Sequence, residues 1–348
     1  MDRVDSKYSF DVLNGLRGVA AICVVNAHLS DYFAHIKCMN VGLAVDFFFV
    51  LSGFVLSHAY GDSLKAGLRA GRFMLMRLVR LYPLYLVGTA IGAAAFWFYG
   101  KPAPEHFAVS SAFGALFLPP PPSLSVNDYN LYPFDFPAWS LFFELIANLV
   151  LALIGRRLNN TVLASVIGLS FLGLVAVGLT AGTLDQGVRP MQAAGGLARV
   201  MFSFFAGVAL YRLWRARPVK LNLHPLIMFV LLVLPLVYMP PKPYEWPYDL
   251  AVIVVYFPLL VMFGAQAKAG PAWTAIATVL GAISYPLYVL HVAIWHAIKP
   301  PLDATLEVGA PWTGLAMLTV LLVISWLAEI YLDLPLRRFV GKRLRRKP

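Results

Sequence analysis

Residues 14–33, "NGLRGVAAICVVNAHLSDYF", have the composition of a membrane-crossing helix that carries two ionisable side chains. Nearly every residue between Leu16 and Leu29 is apolar, yet Arg17 stands at one end and His28 near the other. Eleven steps along an α-helix return to nearly the same face and advance by about 16 Å. Because ionisable groups at membrane depth usually face a cavity or a partner, the stretch predicts that Arg17 and His28 line one interior seam at two depths.

The rest of the chain has a similarly apolar composition. Of its 348 residues, 60% are hydrophobic and only 13% are charged, whereas about a quarter of the residues of a soluble domain are charged. The net charge of +11 does not indicate a nucleic-acid partner, because the basic residues lie where membrane topology would place them. The sequence therefore predicts an all-α, polytopic protein whose partner is the lipid bilayer.

Ten apolar segments are long enough, or nearly so, to cross about 30 Å of hydrocarbon as helices. They lie near residues 12–30, 41–60, 81–99, 138–155, 162–181, 195–213, 225–239, 249–266, 274–296 and 312–332. The segment near 225–239 is short and ends at Pro240-Pro241. We predict a transmembrane helical bundle of about ten spans.

The distribution of Lys and Arg predicts how this bundle is oriented. Most of the 28 basic residues fall in alternate connections and in the two terminal segments, and short loops rich in Lys and Arg face the cytosol. Both termini are therefore predicted to be cytosolic. The polar start "MDRVDSKYSFDVLNG" and the missing small-residue cleavage site argue against a cleavable signal peptide.

The predicted organisation is one domain over residues 1–348, with no second soluble domain. A long outer loop, 100–137, contains a proline run that favours extended geometry; it is either a structural lid or a surface that contacts a sugar. The basic segment 61–83 suits an amphipathic helix at the cytosolic surface. The basic tail 337–348 is interpreted as a cytosolic orientation signal that contacts anionic lipid.

Polar residues are predicted at two depths in the bundle. The outer level holds His28, Asp46, Glu144 and His291, and the inner level holds Arg17, Arg77 and Arg80. Structural interpretations also exist, because Asp46 and Glu144 could be partners of buried donors and an interior histidine can simply be hydrogen-bonded. Arg77 and Arg80 could anchor a helix end.

The sequence predicts neither a metal site nor a disulfide. No His-x-x-x-His or His-Glu-x-x-His spacing occurs, and scattered single ligands are weak grounds for a metal. Cys23 is predicted inside the first span and Cys38 in the first outer loop, so the two thiols are expected at different depths. Ser52-Gly53 indicates a close approach between helices.

Five ordered blocks of the chain resemble the acyltransferase 3 family of integral membrane proteins. "LNGLRGVAAICVVNAHL" is similar to the family's first-helix pattern of a basic residue, ten residues and a histidine, here Arg17 and His28. "VDFFFVLSGFVLSHAY" is similar to the second-helix block and contains Asp46. "FMLMRLVRLYPLYLV" resembles the Arg-x-x-Arg-Leu-Tyr-Pro segment, with Arg77 and Arg80 in place.

The last two blocks extend the resemblance over essentially the whole chain. "PAWSLFFELIANL" is similar to a tryptophan-serine-leucine block followed by an acid, here Glu144, and "ISYPLYVLH" resembles a late stretch that ends at His291. Family members often have a Glu-Glu or Glu-Gln pair where this chain has "FELIA". That departure concerns the identity of the acceptor. It does not concern the enzyme class, since the other blocks keep their order.

The resemblance implies an enzyme that O-acylates surface or exported polysaccharides from cytosolic acyl-CoA, with acetyl as the commonest acyl group. It implies a bacterial inner-membrane location, acyl-CoA and a glycan as substrates, and no permanently bound cofactor. His28 would be the general base, with Asp46 or Glu144 fixing its tautomer, and Arg17, Arg77 and Arg80 would bind the CoA phosphates. Further substrate or supporting positions are Ser52, Trp139, Ser140, Tyr288 and His291.

Alternatives of other classes remain open from the residues. A transporter or flippase of a glycan or lipid intermediate would also place charges at two depths, although no inverted repeat is visible. A scaffold without catalysis does not explain the Arg17–His28 seam. Within the enzyme hypothesis, direct transfer from donor to acceptor leaves fewer required residues unassigned than a route through an acylated protein does.

Overall fold

A computed structural model describes residues 10–217, 222–305 and 309–345, and these ranges contain helices and no strand. The helices are α1 Asp11–His28, α2 Gly42–Lys65, α3 Ala70–Ala95, α4 Pro104–Ala115, α5 Ala138–Ile154, α6 Asn160–Ala181, α7 Ala193–Ala216, α8 Pro225–Val237, α9 Glu245–Ala251, α10 Phe257–Gly264, α11 Pro271–Thr305, α12 Trp312–Ala328 and α13 Leu334–Arg345. Short π-helical turns join α9 to α10 and α12 to α13. The all-α prediction is confirmed for the described residues.

Seven of these helices, counted with their continuations, are long and apolar enough to cross a membrane. Two shorter apolar helices, Ala138–Ile154 and Pro225–Val237, coincide with two further predicted spans. The remaining predicted span corresponds to α1, a helix of 18 residues. The protein is therefore an integral membrane protein, while the number of ten spans and the cytosolic termini remain predictions.

One predicted feature of the connections is wrong, and the outer loop contains a helix that was not predicted. The basic segment 61–83 does not form a separate amphipathic helix, because α2 continues to Lys65 and α3 begins at Ala70 and runs through Pro83. The outer loop contains a helix, α4, that begins at Pro104. Proline is tolerated in the first turn because the backbone N–H groups there have no partner within the helix. Residues 346–348 of the predicted basic tail lie outside the described residues.

The outer loop packs against the bundle through its last residues. An added Cβ on Gly92 of α3 would collide with the carbonyl oxygen of Phe134, so loop and helix backbones are in close contact. Asp135 is only 1% exposed, and neither of its carboxyl oxygens has a partner within the described ranges. Burial raises the pKa of the Asp135 carboxyl well above its usual range. This part of the loop is a packed cover of the bundle.

The connection after α1 folds back onto that helix. Asn26 Nδ2 donates to the Ile36 carbonyl at 3.0 Å, and the Cys38 backbone N–H donates to Asn26 Oδ1 at 2.9 Å. This fold-back brings the Cys38 thiol close enough to the Cys23 thiol for the two to interact. The prediction that these free thiols lie apart at different depths is wrong, because spacing along the chain does not show that the connection returns to α1.

Helices α1 and α11 pack in parallel through small residues. Gly18 lies against Leu280, and Gly281 lies against Asn14, so neither glycine has room for a side chain. This register brings Arg17 to Ser284 and His28 to His291. The seam predicted from the first helix therefore faces α11 along its length.

Helices α2 and α7 cross with their backbones in contact. A Cβ on Gly53 would collide with the carbonyl oxygen of Phe204, and a Cβ on Gly207 would collide with that of Val50. The close approach predicted at Ser52-Gly53 is thus confirmed at Gly53. The crossing orients the face of α2 that carries Asp46 and Ser52.

We expect Gly53→Ala to destabilise the protein, because the added methyl meets backbone that cannot rotate away. Overpacking of this kind costs about 1–3 kcal/mol, which would lower the melting temperature in detergent. Gly168→Ala in α6 is the matched control, since a Cβ there meets nothing within 4 Å and alanine favours helix. Equal melting temperatures for the two variants would contradict the close crossing.

Candidate active site

A central cavity of about 160 Å³ opens between α1, α2, α3, α5 and α11. It is lined by most of the residues predicted from the sequence, namely Arg17, Ser52, Arg77, Arg80, Ser140, Glu144 and Tyr288. His28 and His291 do not line this cavity. His291 lies one helical turn beyond Tyr288 on α11, and His28 of α1 pairs with it. Residues from five separate helices therefore converge on one space.

A hydrogen bond between His28 and His291 defines the state of both rings. Nδ1 of His28 lies 2.8 Å from Nε2 of His291, and the two ring planes are nearly parallel, with their centroids 5.1 Å apart. His291 Nδ1 lies 3.0 Å from the carbonyl oxygen of Leu287 and 2.9 Å from that of Tyr288. Because carbonyl oxygens only accept, His291 Nδ1 carries the proton and its Nε2 accepts from His28 Nδ1.

In the neutral form of the His28 ring, its single proton is therefore on Nδ1 and its Nε2 is unprotonated. His291 is fully buried, whereas His28 is half-buried and has the ring of Phe136 against its edge at 5.0 Å between centroids. A histidine held in this tautomer can accept a proton from a bound hydroxyl. The partner that orients His28 is thus His291, and neither Asp46 nor Glu144 occupies that position.

Glu144 holds the opposite wall of the central cavity. Its Oε1 accepts from Ser52 Oγ at 2.6 Å and from Arg77 Nη2 at 3.0 Å. The Ser52 proton is therefore engaged with the carboxylate and is not free for an oxyanion. Glu144 links α2, α3 and α5 at this level, which is the partner role considered for it from the sequence.

Arg80 belongs to a four-residue ion network at the end of the cavity. Its Nη1 lies 2.6 Å from Oδ2 of Asp333, whose carboxylate also meets Arg337 at 2.8 Å. Arg337 pairs in turn with Glu329, and the Arg80 guanidinium stacks over the Tyr285 ring at 4.8 Å. The positive charge of Arg80 is therefore largely balanced inside the protein.

Arg17 has only neutral partners in the described part of the chain. Its Nε donates to Ser284 Oγ at 2.8 Å and its Nη2 donates to the Gly281 carbonyl at 2.6 Å. The central cavity thus contains three guanidinium groups and one carboxylate, with the charge of Arg17 unbalanced at contact distance. A cavity of this charge favours an anionic ligand next to Arg17.

Comparison with known sequences identifies the family of this chain. The family model described as an acyltransferase domain, Acyl_transf_3, matches residues 10–330. The chain belongs to the acyltransferase 3 family. A relative named "Protein 2 in picA locus", from Rhizobium radiobacter, is 42% identical over 170 residues, which are 44% of this chain and 87% of the relative. No solved structure matches the acyltransferase.

Asp46 of the acyltransferase lies away from the histidine pair, in a buried ion pair that sequence reasoning missed. Arg199 of α7 contacts Asp46 Oδ2 at 2.7 Å and Asp185 Oδ1 at 3.3 Å. It also donates to the carbonyls of Gly42 and Gln186, both at 2.7 Å. Asp46 and Arg199 are 0% and 1% exposed. This geometry ties α2 to α7 and to the segment before α7.

Trp139 supports the same cluster. Its ring lies 5.4 Å from the Arg199 guanidinium, and a Cβ on Gly187 would collide with it. In the predicted orientation Arg199 counts among the few basic residues on the outer side, although it falls within the predicted span 195–213. The signal that could have revealed it is an arginine inside an apolar run, at the level predicted for Asp46.

Ser140 and Tyr288 form a hydroxyl pair between the cavity and His291. Their oxygens are 2.8 Å apart, and Ser140 also donates to the Pro137 carbonyl at 2.9 Å. Tyr288 in addition presents its backbone carbonyl to His291. The acyltransferase therefore has a hydroxyl pair within one helical turn of His291. In the described residues there is no cluster of three His, Cys, Asp or Glu able to hold a metal.

Proposed function

We propose that this membrane acyltransferase moves an acyl group, with acetyl the first candidate, from acyl-CoA to a hydroxyl of a surface or exported polysaccharide. The observation that supports the proposal is the His28–His291 hydrogen bond at 2.8 Å, which in a neutral His28 ring puts the proton on Nδ1 and leaves Nε2 to act as the base. A base of this kind is what O-acyl transfer requires of the protein. Acceptor class and donor come from the family resemblance, and the charge of the cavity supports an anionic donor.

The proposed reaction is a direct transfer. The acceptor hydroxyl oxygen attacks the thioester carbonyl carbon while its proton passes to His28 Nε2. The carbon–sulfur bond then breaks, and the CoA thiolate leaves with the proton returned by the imidazolium. His291 accepts from the other nitrogen throughout, which keeps the His28 ring oriented. For the oxyanion we propose Tyr288, whose hydroxyl would exchange its hydrogen bond within the Ser140–Tyr288 pair for one to the developing charge.

The arrangement at the other end of the cavity supports donor binding. Arg17 lies on the same helix as His28, at the depth of Ser284, and its charge is not balanced by a contacting carboxylate in the described residues. A donor oxygen in the central cavity, such as the thioester carbonyl, accepts a charge-assisted hydrogen bond from this guanidinium. Arg77 pairs with Glu144, and Arg80 pairs with Asp333. We therefore propose that these two arginines contribute to the positive electrostatic potential of the cavity and do not contact the donor directly.

The test is acyl transfer by the purified protein in lipid nanodiscs. Labelled acetyl-CoA and an extracted glycan acceptor are expected to give a labelled, alkali-sensitive ester detected by mass spectrometry. No transfer to any glycan fraction from cells that contain the protein would overturn the proposal. A hydroxylamine-sensitive acyl-protein formed from acetyl-CoA alone would replace the direct route with a stepwise one.

Arg17→Ala and Arg80→Ala are expected to differ in their effect on donor use. Loss of the uncompensated Arg17 should raise the acetyl-CoA concentration needed for half-maximal rate by at least about tenfold, because a charge-assisted hydrogen bond contributes about 1.5–3 kcal/mol. Arg80→Ala leaves Asp333 with Arg337 alone and should mainly lower the melting temperature. Initial rates against donor concentration separate the two. An unchanged donor requirement for Arg17→Ala would exclude it from donor binding.

A further inference from the structure

A second cavity lies between the ends of α2, α5 and α7 that are predicted to face the cytosol. Its volume is about 400 Å³, within the range of about 300–1,000 Å³ that is usual for small-molecule sites. The central cavity, at about 160 Å³, is below that range. The central cavity can therefore surround only a fraction of a ligand as large as acyl-CoA.

The second cavity combines an apolar floor with a cationic rim. Leucine side chains of α2 and α5 form the floor, and Lys65, Arg212 and Arg215 stand at the rim with Asp62. Arg215 pairs with Asp62 at 2.9 Å, where both side chains are more than half exposed. In the described ranges Lys65 has no ion-pair partner. Three cations against one carboxylate favour an anionic ligand whose remainder is apolar or aromatic.

The two cavities follow one another along a single face of α5. Leu141 and Glu144 line the central cavity, and Leu151 and Gly155, further along, line the second one. On α2 the separation is smaller still, because the neighbouring residues Leu56 and Ser57 line one cavity each. The residues of α2 and α5 between these two linings form a wall between the cavities.

A buried amide stands in this wall. Asn148 is one turn beyond Glu144 on α5 and is 0% exposed, yet neither its Nδ2 nor its Oδ1 has a hydrogen-bond partner in the part of the chain described. Leaving such a group without a partner costs about 1–3 kcal/mol. An unpaired donor and acceptor on one side chain match the N–H and C=O of a secondary amide.

We infer that the nucleotide half of acyl-CoA binds in the second cavity, and that its pantetheine arm passes Asn148 to bring the thioester into the central cavity. This inference rests on the proposed function. The adenosine lies on the apolar floor, the phosphates meet Lys65 and the rim arginines, and an amide of the arm pairs with Asn148. The arrangement leaves Arg77 and Arg80 in their ion pairs and assigns the donor a path along α5.

A phosphate at this rim has two possible sources, the nucleotide of CoA or the headgroup of an anionic phospholipid. Binding measurements on the protein in phosphatidylcholine nanodiscs distinguish them. The probes are CoA and adenosine 3′,5′-bisphosphate, which has the nucleotide phosphates but no pantetheine. A parallel series in nanodiscs that contain phosphatidylglycerol tests the lipid source.

Lys65→Ala is expected to lower the affinity for both probes by at least about tenfold, because it removes one charge-assisted hydrogen bond. Leu151→Trp places a larger side chain at the apolar floor of the second cavity and should lower the affinity for both probes further. Asn148→Leu should weaken CoA but not the bisphosphate, and should not lower the melting temperature, because it removes an unpaired buried amide. Arg157→Ala is the matched control, an exposed cation near the same end of α5 that lines neither cavity.

Each contrary result has a defined meaning. If Lys65→Ala and Leu151→Trp bind both probes as the wild type does while transfer persists, this inference is wrong and the proposed function stands. If phosphatidylglycerol raises the melting temperature of the wild type but not of Lys65→Ala, and neither probe binds the cavity, the site belongs to a lipid. A wild-type protein that neither binds CoA nor transfers acyl groups overturns the proposed function itself.

Discussion

His28→Ala is expected to lower the rate of acyl transfer by about 10²–10⁴-fold, the usual contribution of a positioned general base. The protein should still fold, because His28 is half-buried and its ring contacts are with His291 and Phe136. CoA affinity should be nearly unchanged, since the ring accepts a proton and does not hold the donor. Initial rates with labelled acetyl-CoA, together with CoA binding by the same preparation, measure both quantities.

His291→Leu tests the orientation of the base. Leucine keeps much of the buried volume but cannot accept from His28 Nδ1, so His28 loses the contact that selects its tautomer. We expect a rate between those of the wild type and His28→Ala, and an altered pH–rate profile. His296→Leu, an exposed histidine further along α11, is the control and should retain the rate. Full activity of His28→Ala would remove the histidine pair from the mechanism.

Asp46→Asn is expected to destabilise the protein by up to about 3–5 kcal/mol, because it breaks a buried ion pair and leaves the Arg199 charge with only the longer contact to the exposed Asp185. Both side chains are almost completely inaccessible, and their shortest contact is 2.7 Å. The expected observation is a large loss of folded protein in the membrane fraction and a lower melting temperature. Asp62→Asn is the control, since Asp62 pairs with Arg215 at the surface, where an ion pair contributes about 0–1 kcal/mol.

The double variant Asp46→Leu/Arg199→Met decides between a structural and a chemical role for Asp46. Replacing a buried ion pair by apolar residues of similar size is often neutral or stabilising, so we expect the fold to return. Acyl transfer should return with it. A folded double variant without activity would instead support the catalytic assignment made for Asp46 from the sequence. A folded and active Asp46→Asn would contradict the structural account of the pair.

Much of the candidate site was predictable because membrane depth restricts polar residues. Arg17 and His28 stand in an apolar run, and helical spacing alone places them on one face. The same reasoning selected Glu144, and the family resemblance added Ser140 and Tyr288; the fold brings all three to the central cavity. Periodicity and depth could not pair these groups, however, because a helical face has several neighbours.

The sequence by itself determined the all-α membrane class, the helices and the face of α1 that carries Arg17 and His28. These features follow from local composition, since a backbone in lipid must bond within its own segment. Only the tertiary structure decided which helix meets which: that His291 orients His28, that Arg199 takes Asp46, and that Cys38 returns to Cys23. Such pairings depend on crossings set by a few glycines, and a difference of one helical turn in register would exchange every partner.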